Sequence, residues 1–369
     1  MMTFLLVVLV FYLIFLLLVW IGWNKTNENG TELFVPKTSF SVNIAVRNEA
    51  ENILALLRNL TIQNYPTELF EIILIDDHSE DNTVYLAKEY LSKFRINYQI
   101  LRLEEAEGKK SALHIGIDSS KLEWIVTTDG DCVVNKDWLK SIDQRIQSTQ
   151  PKMVVGPVCL SNSDLLFGQM QQLEFLSLIA SAAAGLYFKR PSMCNGANLA
   201  FEKSIFFEVG GYSSHQNIAS GDDEFLMHEV WKAYPQSVVF NKSTSSVVHT
   251  QPSNSWKSFS NQRKRWASKW ENYKLIDIKV LALFVFVIQG FFVFALFYSV
   301  FNHSLPFFAM VYSIKIIFDA FFFYKLLKWF GQPFSILSFL LLEMFYPFYV
   351  VIFAILGRKK TYTWKQRIQ

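Results

Sequence analysis

Trp124-Ile125-Val126-Thr127-Thr128-Asp129-Gly130-Asp131 is the stretch on which the fold turns. An apolar, β-branched run ends in two carboxylates held apart by one small residue. The run suits a strand, and in open α/β sheets the polar residues just beyond a strand's carboxyl end are the ones that meet ligands. Upstream, residues 98–103 read as a strand, 107–110 as a turn and 111–119 as a helix. Before them, residues 70–75 form a strand that runs into Asp76-Asp77-His78-Ser79-Glu80-Asp81-Asn82-Thr83, where polar capping residues open a helix. The first unit is a strand at 40–46, a polar turn at Arg47-Asn48-Glu49 and a helical pattern through Leu60. Strands alternating with helices predict an α/β domain with a mainly parallel sheet covered on both faces. Asp76, Asp77, Asp129 and Asp131 then all stand directly after strands.

Downstream the pattern is less regular. Residues 169–184 read as an apolar helix, 195–201 as a short strand and Gly210-Gly211 as a turn, with no internal repeat. The ends of the chain are different in kind. Apolar residues make up 51% of the 369, with 35 Phe, and they concentrate at 3–23 and from 280 onward. The first run lacks a basic leader and a small-residue cleavage pattern and is too long for a signal peptide, so a retained anchor is expected. Three later runs, 280–300, 305–324 and 334–356, are each long enough to cross a hydrocarbon core. The expected organisation is an anchor at 1–24, a catalytic domain at 38–272, membrane helices at 278–357 and a basic tail at 358–369.

Positive flanks favour the cytoplasm, yet three crossings would carry the basic tail to the other side. Either 334–356, broken by Glu343 and Pro347, dips in and returns as a hairpin, or another run lies in the interface. Lys315 and Asp319, four apart in one run, can neutralise each other on a helix face, as a structural pair or as a polar seam for an acceptor. The net charge of +3 and mixed signs exclude a nucleic-acid binder. Cys132, Cys159 and Cys194 have no metal-ligand spacing, which points to buried thiols in a reducing compartment. No Gly-x-Gly-x-x-Gly follows the first strand, which excludes a nicotinamide dehydrogenase.

Three clusters carry chemistry. Asp129-Gly130-Asp131 can approach a hard divalent cation that also holds diphosphate oxygens, although the same tripeptide also reads as a turn. Asp222-Asp223-Glu224, before a helix expected to run to Trp231, suit a solvated helix N-terminus. Alternatively one of them, Asp223, is the general base that takes a proton from an attacking hydroxyl. Gln262-Arg263-Lys264-Arg265-Trp266 reads either as a basic patch on anionic lipid or as an arginine fork for phosphate beside a tryptophan face for a sugar ring.

In this order the motifs resemble the family 2 glycosyltransferases of GT-A fold, in the membrane-embedded branch that includes cellulose, hyaluronan and chitin synthases and ceramide glucosyltransferase. The matching stretches are Ala45 to Glu49, Ile75 to Thr83, Gly108 to Leu113, Thr128 to Asp131, Asn195 to Asn198, Gly210 to Tyr212, Asp222-Asp223 and the Gln-x-x-Arg-Trp ending at Trp266. The resemblance implies that Asp77 holds the nucleotide base, Lys109 lies near the nucleotide, and Asp129 and Asp131 bind diphosphate and metal. It implies further that Asp223 is the base, that Gln262, Arg265 and Trp266 close over the diphosphate and frame the acceptor channel, and that Asn195, Gly196, Asn198 and Asp222 line the acceptor side. Departures are Ala45 for a common proline, His114 for a common asparagine, and Gly221-Asp222-Asp223 for the usual Thr-Glu-Asp.

The expected activity is an inverting transfer from a nucleotide-diphosphate sugar, a UDP-sugar by family, with Mg2+ or Mn2+, to a lipid-linked or glycan acceptor. A processive polysaccharide synthase and a non-catalytic membrane scaffold are the alternatives, and partner subunits are compatible with either. The expected setting is a bacterial inner (plasma) membrane, with membrane lipid around the helices and the catalytic domain in the cytoplasm.

Overall fold

The computed structural model describes residues 2–26, 34–213, 221–356, 363–364 and 367–368. Of the basic tail expected at 358–369 only 363–364 and 367–368 are among the described residues, and Ser220 lies outside them. The chain divides into two units, one of residues 1–25, 162–192 and 252–369, the other of 26–161 and 193–251.

The helical unit holds α1 (Met2–Lys25), α6 (Leu166–Tyr187), α9 (Trp256–Ala267), α10 (Ile276–Phe301), α11 (Leu305–Trp329) and α12 (Ile336–Leu356). α6 and α9 lie inside the 38–272 segment but group with the apolar helices. α1, α10, α11 and α12, with 24, 26, 25 and 21 residues, are long and apolar enough to cross a membrane. Leu5 and Leu9 of α1 share a core with Ile288, Phe292, Phe308 and Val311. α1 meets α6 at Gly22, where a Cβ would lie 2.6 Å from Ala184 Cα, so the close approach depends on the missing side chain.

α12 is one continuous helix with Pro347 inside it, which removes the hairpin expected as one way out of the parity conflict. Pro347 has no N–H for the carbonyl of Glu343, four residues back. The Tyr312 hydroxyl of α11 takes that place, donating to Glu343 O at 2.7 Å. Nearby, Lys315 Nζ donates to Asp319 Oδ2 at 2.7 Å and to Glu343 Oε2, and Tyr12 of α1 donates to Asp319 Oδ1 at 2.7 Å. The expected Lys315–Asp319 pair is therefore part of a larger buried cluster that ties three apolar helices together.

The other unit is built on a seven-stranded sheet. Its strands and helices are β1 (Phe40–Val46), α2 (Ile53–Thr61), β2 (Phe70–Asp76), α3 (Thr83–Leu91), β3 (Asn97–Arg102), α4 (Lys109–Ser119), β4 (Trp124–Asp129), α5 (Trp138–Thr149), β5 (Met153–Val155), β6 (Val158–Leu160), β7 (Leu199–Glu202), α7 (Lys203–Glu208), α8 (Asp222–Ala233), β8 (Val238–Phe240) and β9 (Val248–Thr250). The strand order is β3-β2-β1-β4-β7-β5-β8, and β6 pairs with β9 apart from it. β1, β2, β3 and β4 run parallel, while β7 is antiparallel to β4 and β5. The helices that cover the sheet follow the apolar spacing of the sequence: α2 buries Ile53, Leu56, Leu57 and Leu60, the i, i+3, i+4, i+7 stripe of a surface helix.

The register decides where the chemistry emerges. Val46 pairs with Asp76 and Ala45 with Asp129, so the carboxyl ends of β1, β2 and β4 open at one edge of the sheet. Two local readings are corrected. Lys109 and Lys110 open α4 rather than closing a turn, because Gly108 at φ +94° makes the bend alone. Residues 195–198 are a capped 3-10 turn, with Asn195 Oδ1 accepting from Ala197 N at 2.9 Å, and the strand begins only at Leu199.

Candidate donor and acceptor site

Asp129 is the last residue of β4, and Asp131 follows after Gly130. A Cβ at Gly130 would lie 3.0 Å from both Val46 Cγ1 and Glu49 Cγ, so a larger residue fits only if these side chains give way. Ligand atoms of Asp129, Asp131 and Cys132 lie within 4.8 Å of one another. Cys132 is buried and its thiol donates to Asp131 Oδ1 at 3.8 Å, the behaviour of a neutral S–H. The donor set is thus two carboxylates, which suits a hard divalent cation. Thr250, at the end of β9, donates to Asp131 Oδ2 at 3.3 Å. β9 reaches Asp131 because Val133 N donates to His249 O at 2.8 Å and His249 N to Val133 O at 2.9 Å. Nothing in the sequence spacing marked Thr250, since the contact depends on a pairing across more than a hundred residues.

Lys109, at the first turn of α4, makes an ion pair with Asp129. Burial works against its charge, but Asp129, Asp222 and Asp223 together outweigh burial and raise the ammonium above its ordinary range. The cation thus draws β4, α4 and the N-terminus of α8 into one electrostatic group. Within it, burial first and the charge of Asp223 second raise the Asp222 carboxyl, against the pull of Lys109. Asp223 is held by backbone: Gly196 N donates to its Oδ2 at 2.7 Å and Glu224 N to its Oδ1 at 2.9 Å. Among the described residues each oxygen thus has one hydrogen-bond donor, and a carboxylate oxygen can take a second. Burial and the same two acids push the phenol of Tyr212 well up, which adds that residue to the group.

Asp77 follows β2 on the same edge and is buried. Its backbone is fixed on both sides, with Asp77 N donating to Val46 O at 2.8 Å and Arg47 Nη1 donating to Asp77 O at 2.9 Å. His78, at φ +57°, lies 3.3 Å from Asp77 Oδ1 through Nδ1. Asn198 is different from the expectation placed on it. Its Oδ1 accepts from Trp138 Nε1 at 3.0 Å, and its Nδ2 donates to Pro157 O at 2.8 Å and Ser246 O at 2.7 Å. Buried and hydrogen-bonded at both ends of its amide, its side chain braces the sheet. Gln262, Arg265 and Trp266 lie on α9 in the helical unit, each half-buried.

Residues 41–210 match the family model described as Glycosyl transferase family 2. Glycosyltransferase AglE of Haloferax volcanii is 35% identical over 191 residues, which cover 50% of this chain and 58% of that protein. Poly-beta-1,6-N-acetyl-D-glucosamine synthase of Staphylococcus epidermidis is 25% identical over 261 residues, covering 67% of this chain and 59% of that one. The chain thus spans less than two thirds of the length of these relatives. Among solved structures, the mannosyltransferase PcManGT from Pyrobaculum calidifontis, in complex with GDP-Man and Mn2+, shares the fold over 97% of each chain at a TM-score of 0.61 and 14% identity. The parallel-rich sheet, its carboxylate edge and its apolar helices define a GT-A protein with one N-terminal and three C-terminal helices of membrane-spanning length. Residues 41–210 are thus a family 2 glycosyltransferase domain.

Proposed function

We propose that this chain is an inverting, metal-dependent glycosyltransferase that moves a sugar from a nucleotide-diphosphate sugar to a lipid-linked or glycan acceptor at a membrane. The observation that carries the proposal is the Lys109–Asp129 ion pair at the carboxyl edge of a family 2 domain, with Asp222 and Asp223 near enough to act on the same ammonium. Asp129 and Asp131 would hold the divalent cation, Mg2+ or Mn2+, which when bound supplies Lewis-acid stabilisation to the departing diphosphate. Lys109 neutralises donor phosphate on the same side, and Asp77 holds the nucleotide base. The acceptor oxygen forms a bond to the anomeric carbon as the bond from that carbon to the diphosphate oxygen breaks. Asp223, oriented by the N–H groups of Gly196 and Glu224, accepts the hydroxyl proton. Asn195, Gly196 and Asp222 line the acceptor side, with Asn198 as their support from within.

Gln262, Arg265 and Trp266 enter through their motif: the guanidinium for diphosphate, the indole for the acceptor ring. A UDP-sugar donor and the cytoplasmic face of a bacterial inner membrane complete the reading. The similarity to a poly-beta-1,6-N-acetyl-D-glucosamine synthase supports the processive alternative.

The test is nucleoside-diphosphate release by the full chain in lipid vesicles across UDP- and GDP-sugars, with metal and then with EDTA. One donor should give metal-dependent release, and Asp223→Asn should lower it by about 10²–10⁴-fold, the usual contribution of a general base. Release that survives EDTA removes the metal; undiminished release by Asp223→Asn removes the base. No release with any donor favours the scaffold alternative.

A further inference from the structure

α9 carries its motif on two faces. Gln262 and Arg265 lie on one side, while Phe259, Arg263 and Trp266, at i, i+4 and i+7, form a second stripe in which Phe259 and Arg263 are buried and Trp266 half-buried. Arg263 is 4% exposed and makes an ion pair with Glu174 of α6, which is itself buried. Its guanidinium carbon stands 4.2 Å from the ring centroid of Trp266 and 4.7 Å from that of Phe259, so the cation is clasped between two aromatic faces. Glu174 has a second partner, the Tyr349 hydroxyl of α12, which donates to Oε1 at 3.3 Å. Phe175, next to Glu174, has its ring centroid 6.2 Å from that of Trp266. Ser255 caps the helix start by accepting from Ser258 N at 3.2 Å.

These contacts leave Arg263 little freedom. A buried guanidinium without its carboxylate must find water or another acceptor, and leaving the helix interface would uncover the Trp266 ring. We propose that Glu174, steadied by Tyr349, is a positioning residue that sets the orientation of the Trp266 indole through Arg263, and thereby the affinity for the acceptor. This rests on the reading above in which Trp266 meets the acceptor. The nearer alternative, a brace that merely keeps α6 and α9 folded, predicts a different pattern of losses.

The test compares Glu174→Gln, Trp266→Ala and the double variant, as full chains in vesicles. Octyl glucoside, a sugar ring on an alkyl chain, serves as the acceptor probe. Glu174→Gln should raise the acceptor KM about tenfold, in the range a buried cation–aromatic contact supports, and leave the donor KM and acceptor-free donor hydrolysis unchanged. Trp266→Ala should raise the acceptor KM as much or more, and in the double variant Glu174→Gln should add nothing to that rise, because its effect passes through the missing ring. Additive losses, or equal falls in donor hydrolysis, overturn the proposal in favour of a brace. If Trp266→Ala leaves the acceptor KM unchanged, the acceptor role of Trp266 is wrong and the proposal falls with it. If Trp266→Ala raises it and Glu174→Gln does not, only the proposal falls.

A readout free of turnover completes the test. In protein labelled with 5-fluorotryptophan, the Trp266 fluorine resonance, assigned by its loss in Trp266→Phe, should shift in Glu174→Gln and shift less in Tyr349→Phe. An unmoved resonance in both variants overturns the proposal. Tyr349→Phe removes a single oxygen, so it provides the answer should Glu174→Gln not fold.

Discussion

Asp222 and Asp223 are sequence neighbours with opposite circumstances. Asp223 has a backbone N–H on each oxygen, whereas Asp222 is raised by burial and by Asp223 beside it. In the unfolded chain Asp222 ionises at its ordinary value. Between that value and the raised folded one, the unfolded state loses the proton that the folded state keeps, so Asp222 lowers stability as pH rises through this window. Asp222→Asn should therefore melt at a higher temperature than the parent at pH 7, with the gap closing below the ordinary carboxylate range; thermal unfolding in detergent at several pH values checks this. A variant that melts lower at pH 7 would mean that Lys109 depends on the Asp222 charge for its place. At this scale the sequence was most legible where a carboxylate directly follows an apolar run. The place of Asp129 and Asp131 at the sheet edge could be read from their strand alone, because register carries the end of β4 to the ends of β1 and β2. The bonds of Asn198 could not be read from the sequence, because its partners, Trp138, Pro157 and Ser246, come from three remote segments that no local pattern joins.

Elements were legible in proportion to how far their own periodicity decides them. Strands β1, β2 and β4 appear within a residue of expectation, since buried β-branched runs have few alternatives. α12 was not, because Glu343 and Pro347 look like breaks when only their own helix is considered. The repair comes from α11, where the Tyr312 hydroxyl meets the carbonyl that Pro347 leaves without an N–H. Tyr312→Phe should cost about 1–3 kcal/mol, the price of one unsatisfied buried acceptor. Lys315→Met should cost more, about 3–5 kcal/mol, because it strands Asp319 and Glu343 without their cation. Denaturant unfolding of the full chain in mixed micelles ranks the two. A reversed order would show that the cluster holds its carboxyls neutral and needs Lys315 little. The Lys315–Asp319 pair was visible as an i, i+4 spacing, but Glu343 lies on another helix, and only packing brings it in.

For the whole molecule the continuous α12 turns the parity conflict into a statement about sides. α10 leads into α11 through residues 302–304, and α11 into α12 through 330–335, connections far too short to return across a hydrocarbon core. If the sheet domain is cytoplasmic, α10 leaves from that side. His303 then lies outside, and Pro333 inside, beside Lys325 and Lys328 as charge bias favours. The end of α12 at Leu356 would then face outside, against the bias expected from the basic sequence after it, which only short loops and fixed helix lengths can impose. The expected result is that His303→Cys reacts with a membrane-impermeant maleimide in intact cells, while Pro333→Cys reacts only after permeabilisation. The buried thiols of Cys132 and Cys159 stay silent in both. Labelling of both new cysteines from the same side would mean that α11 lies along the interface despite its 25 residues, and that the tail's charge sets the orientation of the helices. The opposite pattern, with Pro333→Cys labelled in intact cells and His303→Cys protected, would put the sheet domain on the outer face, away from cytoplasmic nucleotide sugars, and would count against the proposed donor.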